Sequence, residues 1–260
     1  MTEPRFLRGL ERALGRGLKA RAFPMASLWV GCEGEPLGEV SVGGASATTR
    51  FDTASLTKPI VVVTAAMRAV SQGLVRMDEM VAPDLPSHVT VRALLGHRAG
   101  LPAWKDLVAA LPPPRRPGHV ESRYAVSALV RQAARDSDPG RGVEYSDLGF
   151  ILLGAFLAER LGVSLEASTP VGAYRGTRAP SKAQAARYAP TGYCQWRKGH
   201  VQGVVHDPNA WVMGGVAGHA GVFATASEVG RWALALERLD AEGQASRLLP
   251  GLDAGVVHDF

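Results

Sequence analysis

The stretch FDTASLTKP at residues 51–59, followed by an apolar run at residues 60–70, decides the fold expected of this chain. The apolar run predicts a helix that begins at Ser55 and ends at residues 71–73. On such a helix Ser55 and Lys58 are three positions apart, so their side chains lie on one face, one turn apart. A hydroxyl at a helix N-terminus with an amine in reach is typical of a serine nucleophile with a lysine base, provided that burial lowers the pKa of the amine.

The same residues have a simpler interpretation, in which Ser55 is only the N-cap of a helix. Ser-x-x-Lys is a short pattern that also occurs by chance. Two features favour catalysis: the pattern occurs once, and Lys58 is one of five lysines in a chain with 24 arginines. Because arginine does not deprotonate, a rare lysine is expected where a titratable amine is needed. Pro59 is tolerated in the first helical turn, although it biases Lys58 away from ideal helical geometry.

The composition indicates a globular protein and disfavours nucleic-acid binding. With 260 residues, 46% of them hydrophobic, the chain can bury a core as one large domain or two intimate subdomains. The net charge of +5 is dispersed, without a run of five like charges. Residues 5–21 have leucines at positions 7, 10, 14 and 18, which predicts an amphipathic helix packed on the body. A helix on a membrane surface is the alternative.

Several patterns bear on the compartment. No apolar run reaches the roughly 18 residues of a membrane span. The first twenty residues contain acids and no continuous apolar segment, so no secretory signal is expected. Cys32 and Cys194 are the two cysteines, which is typical of a reduced, cytoplasmic protein. We therefore expect a cytoplasmic protein without a membrane span.

Apolar periodicity and turn residues place the remaining elements. Two short strand-like runs at residues 26–32 and 37–42 predict a hairpin. Residues 111–118 include four prolines and predict a surface loop. No element can be assigned at residues 162–203, where Gly, Pro and Ser are frequent. Helices are expected at residues 89–95, 124–135, 148–161 and 226–239.

A second candidate site, Tyr145-Ser146-Asp147, directly precedes the apolar helix expected at residues 148–161. A tyrosine at a helix start can partner a nearby lysine, because their charges are coupled and lower both pKa values. In the simpler interpretation, Tyr145 is a buried aromatic and Ser146 or Asp147 is the helix N-cap. Locally, both interpretations fit equally well.

Together these segments resemble the serine β-lactamase and penicillin-binding-protein superfamily, in its class C-like branch of β-lactamases, D-alanyl-D-alanine carboxypeptidases and esterases. The similar segments stand in the family's order and span roughly residues 25 to 240. They are FDTASLTK at 51–58, VTVRALLGHRAGLP at 89–102, EYSDLGFILLG at 144–154 and GGVAGHAGVFATA at 214–226.

The resemblance implies acyl transfer, in which Ser55 attacks a carbonyl and Lys58 and Tyr145 move protons. It implies an α/β (α+β) fold with an antiparallel sheet flanked by helices and a mostly helical subdomain. We accordingly expect a single β-lactamase-like domain at residues 1–260. Within it, residues 1–80 would hold the N-terminal helix, hairpin and nucleophile helix, residues 81–203 the helical subdomain, and residues 204–260 the return to the α/β part.

The sequence departs from the family pattern at two of its motifs. The family's second motif has Asn where this chain has Asp147, and an ionised carboxylate only accepts hydrogen bonds. This departure favours a proton-handling or lysine-pairing role for Asp147. His219-Ala220-Gly221 has the letters of the third, substrate-binding motif, although in this branch that glycine-rich segment precedes the true motif by a long interval. The last strands of the sheet are therefore expected to be missing or shortened, which would leave an unpaired edge.

Other functions remain open from the sequence. A homologue that binds a ligand without turning it over would keep the pocket and lose the activity. A zinc hydrolase could use His200, His206, Asp207 and His219, but no helical His-x-x-x-His pair is present. His97, His119 and His258 receive no role. The expected partner is a small ester or amide, without a cofactor or metal, and a homodimer is a further expectation.

Overall fold

The computed structural model describes residues 5–111, 118 and 120–260, and it combines helices with three small antiparallel sheets. The predicted loop at residues 111–118 lies mostly outside the described residues. The strands are β1 (Ala26–Cys32), β2 (Glu35–Val42), β3 (Phe51–Asp52), β4 (Ala173–Tyr174), β5 (Pro190–Cys194), β6 (Gly199–Gln202) and β7 (Val222–Ala224). The α-helices are α1 (Arg5–Lys19), α2 (Thr64–Ser71), α3 (Val91–Leu95), α4 (Leu107–Ala110), α5 (Val120–Arg135), α6 (Asp147–Leu161), α7 (Leu165–Ser168), α8 (Lys182–Ala185), α9 (Pro208–Val212), α10 (Ala226–Glu242) and α11 (Ala254–Asp259).

The predicted N-terminal hairpin is confirmed, and its turn explains its register. β1 pairs with β2 from Ala26 opposite Val42 to Cys32 opposite Glu35. Both turn residues, Glu33 and Gly34, have positive φ, as a two-residue turn of type I′ requires. The amphipathic helix α1 packs on this hairpin, with Leu7 buried over β2.

The central sheet has the order β3-β7-β4 and holds the nucleophile segment in place. Phe51 of β3 lies opposite Ala224 of β7, and β4 pairs with the other edge of β7. Beyond the sheet ladder, the backbone N–H and the hydroxyl of Thr53 both donate to the carbonyl oxygen of Val222, at 3.0 Å and 2.9 Å. Residues 51–53 are therefore fixed against the segment that follows His219.

The helix predicted to begin at Ser55 is present, but it is not α-helical throughout. A 3₁₀ turn at Ala54–Leu56 leads into a π-helical segment at Lys58–Val63, and regular α-helix follows in α2. Pro59 has no backbone N–H to donate, which removes one hydrogen bond from the first turns. The wider π-helical turn places Lys58 and the apolar residues after it in the interior, where both are buried.

The largest core packs α2, α3, α5 and α6 against one another, with Leu94, Val126, Leu148 and Leu153 among its buried residues. The helix predicted at residues 148–161 is α6, and the ends match: Ser146 caps its N-terminus, and Gly162 ends it in the left-handed conformation. α5 begins earlier than predicted, at Val120. A second core joins the nucleophile helix to α10 and α11.

Residues 162–203, where no element was predicted, contain α7, β4, α8, β5 and β6. These elements are between two and five residues long, too short to give a periodic pattern. α10 extends three residues beyond its predicted end, after a capping box of Thr225 and Glu228. Among the described residues, no helix is long and apolar enough to cross a membrane.

The close approach of Gly218 to α6 gives a prediction for stability. A Cβ at position 218 would overlap the backbone carbonyl oxygen of Phe150, so no side chain fits between the two segments. Gly218→Ala is therefore expected to lower the free energy of unfolding by about 1–3 kcal/mol. Gly15→Ala in α1 is the control, since open space surrounds that position and alanine favours helix by about 0.5–1 kcal/mol. Urea denaturation measures both, and a Gly218→Ala variant as stable as the parent would contradict this packing.

Candidate active site

Ser55 lies at a sharp turn between β3 and the nucleophile helix. Ala54 adopts a left-handed conformation with φ of 46°, which is unusual for a residue with a Cβ. Its backbone N–H donates to Oδ1 of Asp52 at 2.9 Å, which stabilises the turn. The turn leaves Ser55 exposed beside the buried Lys58.

Lys58 joins three segments of the chain at the nucleophile. Its Nζ donates to Oγ of Ser55 at 2.9 Å, to Oδ1 of Asp147 at 2.7 Å and to the backbone oxygen of His219 at 3.4 Å. Lys58 is only 2% exposed, whereas the Asp147 side chain is 19% exposed. These hydrogen bonds bring together Ser55, Lys58, Asp147 and His219, four of the six residues that the sequence singled out, and the ring of Tyr145 is a fifth residue in contact with Lys58.

The N-terminus of α6 positions Asp147. The hydroxyl of Ser146 accepts from the backbone N–H of Gly149 at 3.1 Å and donates to the backbone oxygen of Pro102 at 2.8 Å. This cap directs the first helical residue, Asp147, toward Lys58. Of the two interpretations of the second motif, the capping role falls to Ser146, and Asp147 is left to pair with the lysine.

Tyr145 contacts Lys58 through its ring. Nζ of Lys58 lies 4.7 Å from the ring centroid of Tyr145, a cation–π distance, and 5.8 Å from the ring centroid of Phe150. Tyr145 is 53% exposed, so it is not the buried aromatic of the simpler interpretation. Its ring also lies 4.5 Å from that of His97.

Asp207 and His219 form a second polar pair next to the first. Nε2 of His219 donates to Oδ1 of Asp207 at 2.8 Å, and the imidazole is almost completely buried. Burial alone would raise the pKa of Asp207, but the hydrogen bond from His219 and those from the start of α9 outweigh it, so the pKa is lowered. Asp207 is therefore ionised at neutral pH.

A cavity of about 240 Å³ opens over these groups. Burial raises the pKa of Asp52 in its wall, an effect that backbone hydrogen bonds from His206 and Ala54 only partly offset. Gly221 does not line the cavity; it packs against Gly215 and the ring of Tyr174, where a Cβ would not fit. The lining residues are Asp52, Ala54, Ser55, Asp147, His206, Asp207, Pro208, His219 and Ala220.

The four residues considered for zinc are not gathered at one point. His200 lies on β6 with its ring against Tyr193, away from the cavity lining. A different set, Asp147, Asp207 and His219, has ligand atoms within 4.8 Å of one another. A metal ion bound there would compete with Lys58 for Asp147 and with His219 for Asp207. The ammonium group of Lys58 already supplies positive charge to this cluster.

His97 is a site residue to which the sequence reasoning gave no role. Its Nδ1 accepts from the backbone N–H of Ser146 at 2.9 Å, so it supports the cap that positions Asp147. It also has a positive φ of 55°. The histidine stands inside the family-like segment at residues 89–102, and that resemblance was the signal that could have identified it.

His97 gives a prediction for the effect of pH. Burial and the nearby charge of Lys58 lower the pKa of His97 below its usual 6.5. The unfolded chain then takes up the proton first, so stability present above about pH 6.5 is lost as the pH falls through that value toward the folded pKa. Melting temperatures between pH 8 and pH 5 are expected to fall less steeply for His97→Asn, which tolerates a positive φ. Equal slopes for the two proteins would contradict this role.

A family comparison agrees with this geometry. The family model described as Beta-lactamase matches residues 10–255. The chain belongs to the β-lactamase family. The family resemblance given by the sequence motifs is thereby confirmed.

Individual relatives of this β-lactamase-family chain are distant. It is 28% identical over 216 residues to an N-acetylmuramyl-L-alanine amidase of Bacillus subtilis (strain 168), a match that covers 70% of the chain and 48% of that relative. The chain therefore spans about half the length of this curated relative.

Solved structures show the same fold at low identity. An octameric penicillin-binding protein homologue from Pyrococcus abyssi superposes with a TM-score of 0.69 at 17% identity, over 97% of this chain and 59% of its own. A class C β-lactamase from Rhodobacter sphaeroides gives a TM-score of 0.62 at 21% identity, over 95% and 68%. The predicted β-lactamase/transpeptidase-like fold, with antiparallel sheets flanked by helices, is confirmed.

Proposed function

We propose that this chain is a serine hydrolase that forms an acyl-enzyme on Ser55. The observation that supports the proposal is the unbroken chain of hydrogen bonds from Oγ of Ser55 through Nζ of Lys58 to Oδ1 of Asp147, at 2.9 Å and 2.7 Å. The hydrolases among its relatives, an amidase and class C β-lactamases by their descriptions, agree with this reaction class.

In the proposed acylation step, Oγ of Ser55 attacks the carbonyl carbon of the substrate. Lys58 first passes a proton to Asp147, and the neutral amine then takes the hydroxyl proton as the new C–O bond forms. The tetrahedral intermediate collapses, the bond to the leaving group breaks, and the leaving group departs with a proton. Water then attacks the acyl-enzyme and releases the acid and the free hydroxyl of Ser55.

Tyr145 and Asp147 have distinct parts in this proposal. Asp147 is the proton acceptor that frees Lys58, a part that the asparagine of the family pattern cannot take because an amide is not basic. Tyr145 lies over Lys58 with an exposed phenol, and we assign it proton transfer to the leaving group. His219 would hold Lys58 through its backbone oxygen. The substrate-binding part predicted for Gly221 stays a prediction.

The substrate we propose is a small ester or amide. The cavity over Ser55 has a volume of only about 240 Å³, which suits a short acyl group. All residues of the proposed proton relay come from one chain. The expected homodimer stays a prediction.

Burst kinetics test this proposal. On mixing with p-nitrophenyl butyrate, we expect a rapid release of one equivalent of p-nitrophenol per chain, followed by slower turnover as the acyl-enzyme hydrolyses. The same burst is expected with EDTA present, since the relay contains no metal. Nitrocefin in a parallel assay tests a β-lactam as the acyl donor. A folded protein without a burst or turnover would favour the second candidate, a homologue that binds its ligand without acyl transfer.

A further inference from the structure

The cavity over Ser55 is lined by acidic residues, and the proposed proton relay uses only one of them, Asp147. Asp147 is neutralised by Lys58, whereas among the described side chains only the imidazole of His219 is bonded to Asp207. The Oδ1 atom of Asp207 accepts from His219 and from the backbone N–H of Ala210, at 2.8 Å and 2.7 Å. The backbone N–H of Asn209 contributes a further hydrogen bond to this carboxylate. An ionised carboxylate has about four acceptor positions, so Asp207 can still accept from a ligand in the cavity.

His219 holds Asp207 in the cavity wall. Because the carboxylate of Asp207 can only accept, Nε2 of His219 carries the hydrogen of the bond between them. Nδ1 of the same ring is completely buried, so a ligand in the cavity does not reach it. The carboxylate of Asp207, whose side chain is 22% exposed, is therefore the group that meets a ligand.

The partly exposed carboxylate of Asp207 accepts hydrogen bonds and gives the cavity wall a negative charge. An ammonium group has the complementary properties, since it donates three hydrogen bonds and accepts none. A substrate carboxylate would be unfavourable here. It would lie without a positive partner next to Asp207 and Asp147, whose oxygens are within 4.8 Å of each other. None of the described residues that line the cavity is a lysine or arginine, and the buried Lys58, which donates to Ser55, is already neutralised by Asp147.

We propose that the acyl donor of this chain has a cationic ammonium group close to its reacting carbonyl, and that Asp207, held by His219, binds this group. The inference rests on the proposed acyl transfer at Ser55 and adds the charge of the substrate. Asp207 is then a specificity-determining residue, and His219 is the residue that positions it. Anionic acyl donors are excluded by the same carboxylates.

Three matched phosphonofluoridates test the proposal directly on the full chain. Their tails have the same length and end in a primary ammonium, in a neutral methyl group and in a carboxylate. In each reaction the Oγ–P bond forms, the P–F bond breaks, fluoride leaves and the hydroxyl proton passes to the Lys58–Asp147 pair. Intact-protein mass spectrometry gives the rate of labelling, and peptide mapping places the adduct.

We expect the cationic probe to label Ser55 about 10- to 100-fold faster than the neutral probe, as one charge-assisted contact gives. The anionic probe is expected to be slowest. In Asp207→Asn the ratio of cationic to neutral rates is expected to approach one. Asparagine still accepts from His219 and still caps α9, and a ratio measured on one sample does not depend on the fraction that is folded. Asp240→Asn, which removes a surface carboxylate paired with His258, is the control and should keep the ratio.

The possible outcomes separate the two proposals. Equal labelling by the cationic and neutral probes would overturn the charge preference and leave acyl transfer at Ser55 standing. A preference that persists in Asp207→Asn would overturn the assignment to Asp207. Failure of all three probes to label Ser55 in folded protein would overturn the proposed function itself, and this inference with it.

Discussion

Ser55→Ala is expected to reduce the rate of p-nitrophenyl butyrate hydrolysis at least about 10³-fold. The remaining rate would be that of a protein that binds the ester without a nucleophile. The hydroxyl is the atom to which the acyl group is transferred in the proposed reaction, and no other hydroxyl among the described residues lies within hydrogen-bond distance of Lys58. Ser55 is exposed, so its replacement should change stability by no more than about 0.5 kcal/mol.

Stopped-flow absorbance and circular dichroism on the same preparation check this prediction. Ser46→Ala is the matched control, since Ser46 is another exposed serine and does not line the cavity. Its burst and turnover should equal those of the parent. Turnover that survives in Ser55→Ala would assign the chemistry to another group and contradict the acyl-enzyme.

Lys58→Met is expected to slow acylation about 10³-fold, within the range that proton transfer and nucleophile activation contribute. Methionine has a similar unbranched length but no amine, so Ser55 loses the group that takes its proton. The variant also leaves the carboxylate of Asp147 without a positive partner, although the Asp147 side chain is only 19% exposed. We therefore expect a lower melting temperature as well as a lower rate.

Two further variants separate the chemical effect from the structural one. Lys58→Met combined with Asp147→Asn removes the unpaired charge, so it should recover stability but not the rate of acylation. Lys58→Arg keeps a positive charge near Asp147 but cannot give up its proton at neutral pH, and it should remain slow. A fast Lys58→Arg variant would show that Lys58 acts only by its charge, which would contradict the proton relay.

The sequence predicted those parts of the fold that depend on local patterns. The hairpin follows from a two-residue turn at Glu33 and Gly34, and α6 from an apolar run between a serine cap and Gly162. The spacing of Ser55 and Lys58 placed both side chains on one face even though the first turns are 3₁₀ and π-helical. Asp147 was identified because its charge departs from the family pattern.

The rest depends on contacts that no local pattern encodes. The pairing of Asp207 with His219 joins the cap of α9 to the segment before β7, and sequence alone grouped both residues with His200 as a metal site. His97 acts through a backbone N–H of Ser146, 49 positions away. The strands β4, β5 and β6 are short and exist because of their pairing partners, and β4 in particular pairs with β7 across almost fifty residues.

Intact-protein mass spectrometry after exposure to a fluorophosphonate tests the central claim most directly. The proposed activation of Ser55 by Lys58 predicts one adduct per chain, mapped to the peptide that contains Ser55 and absent from Ser55→Ala. A folded protein that remains unlabelled, or that is labelled at another residue, would contradict the claim that Ser55 is an activated nucleophile.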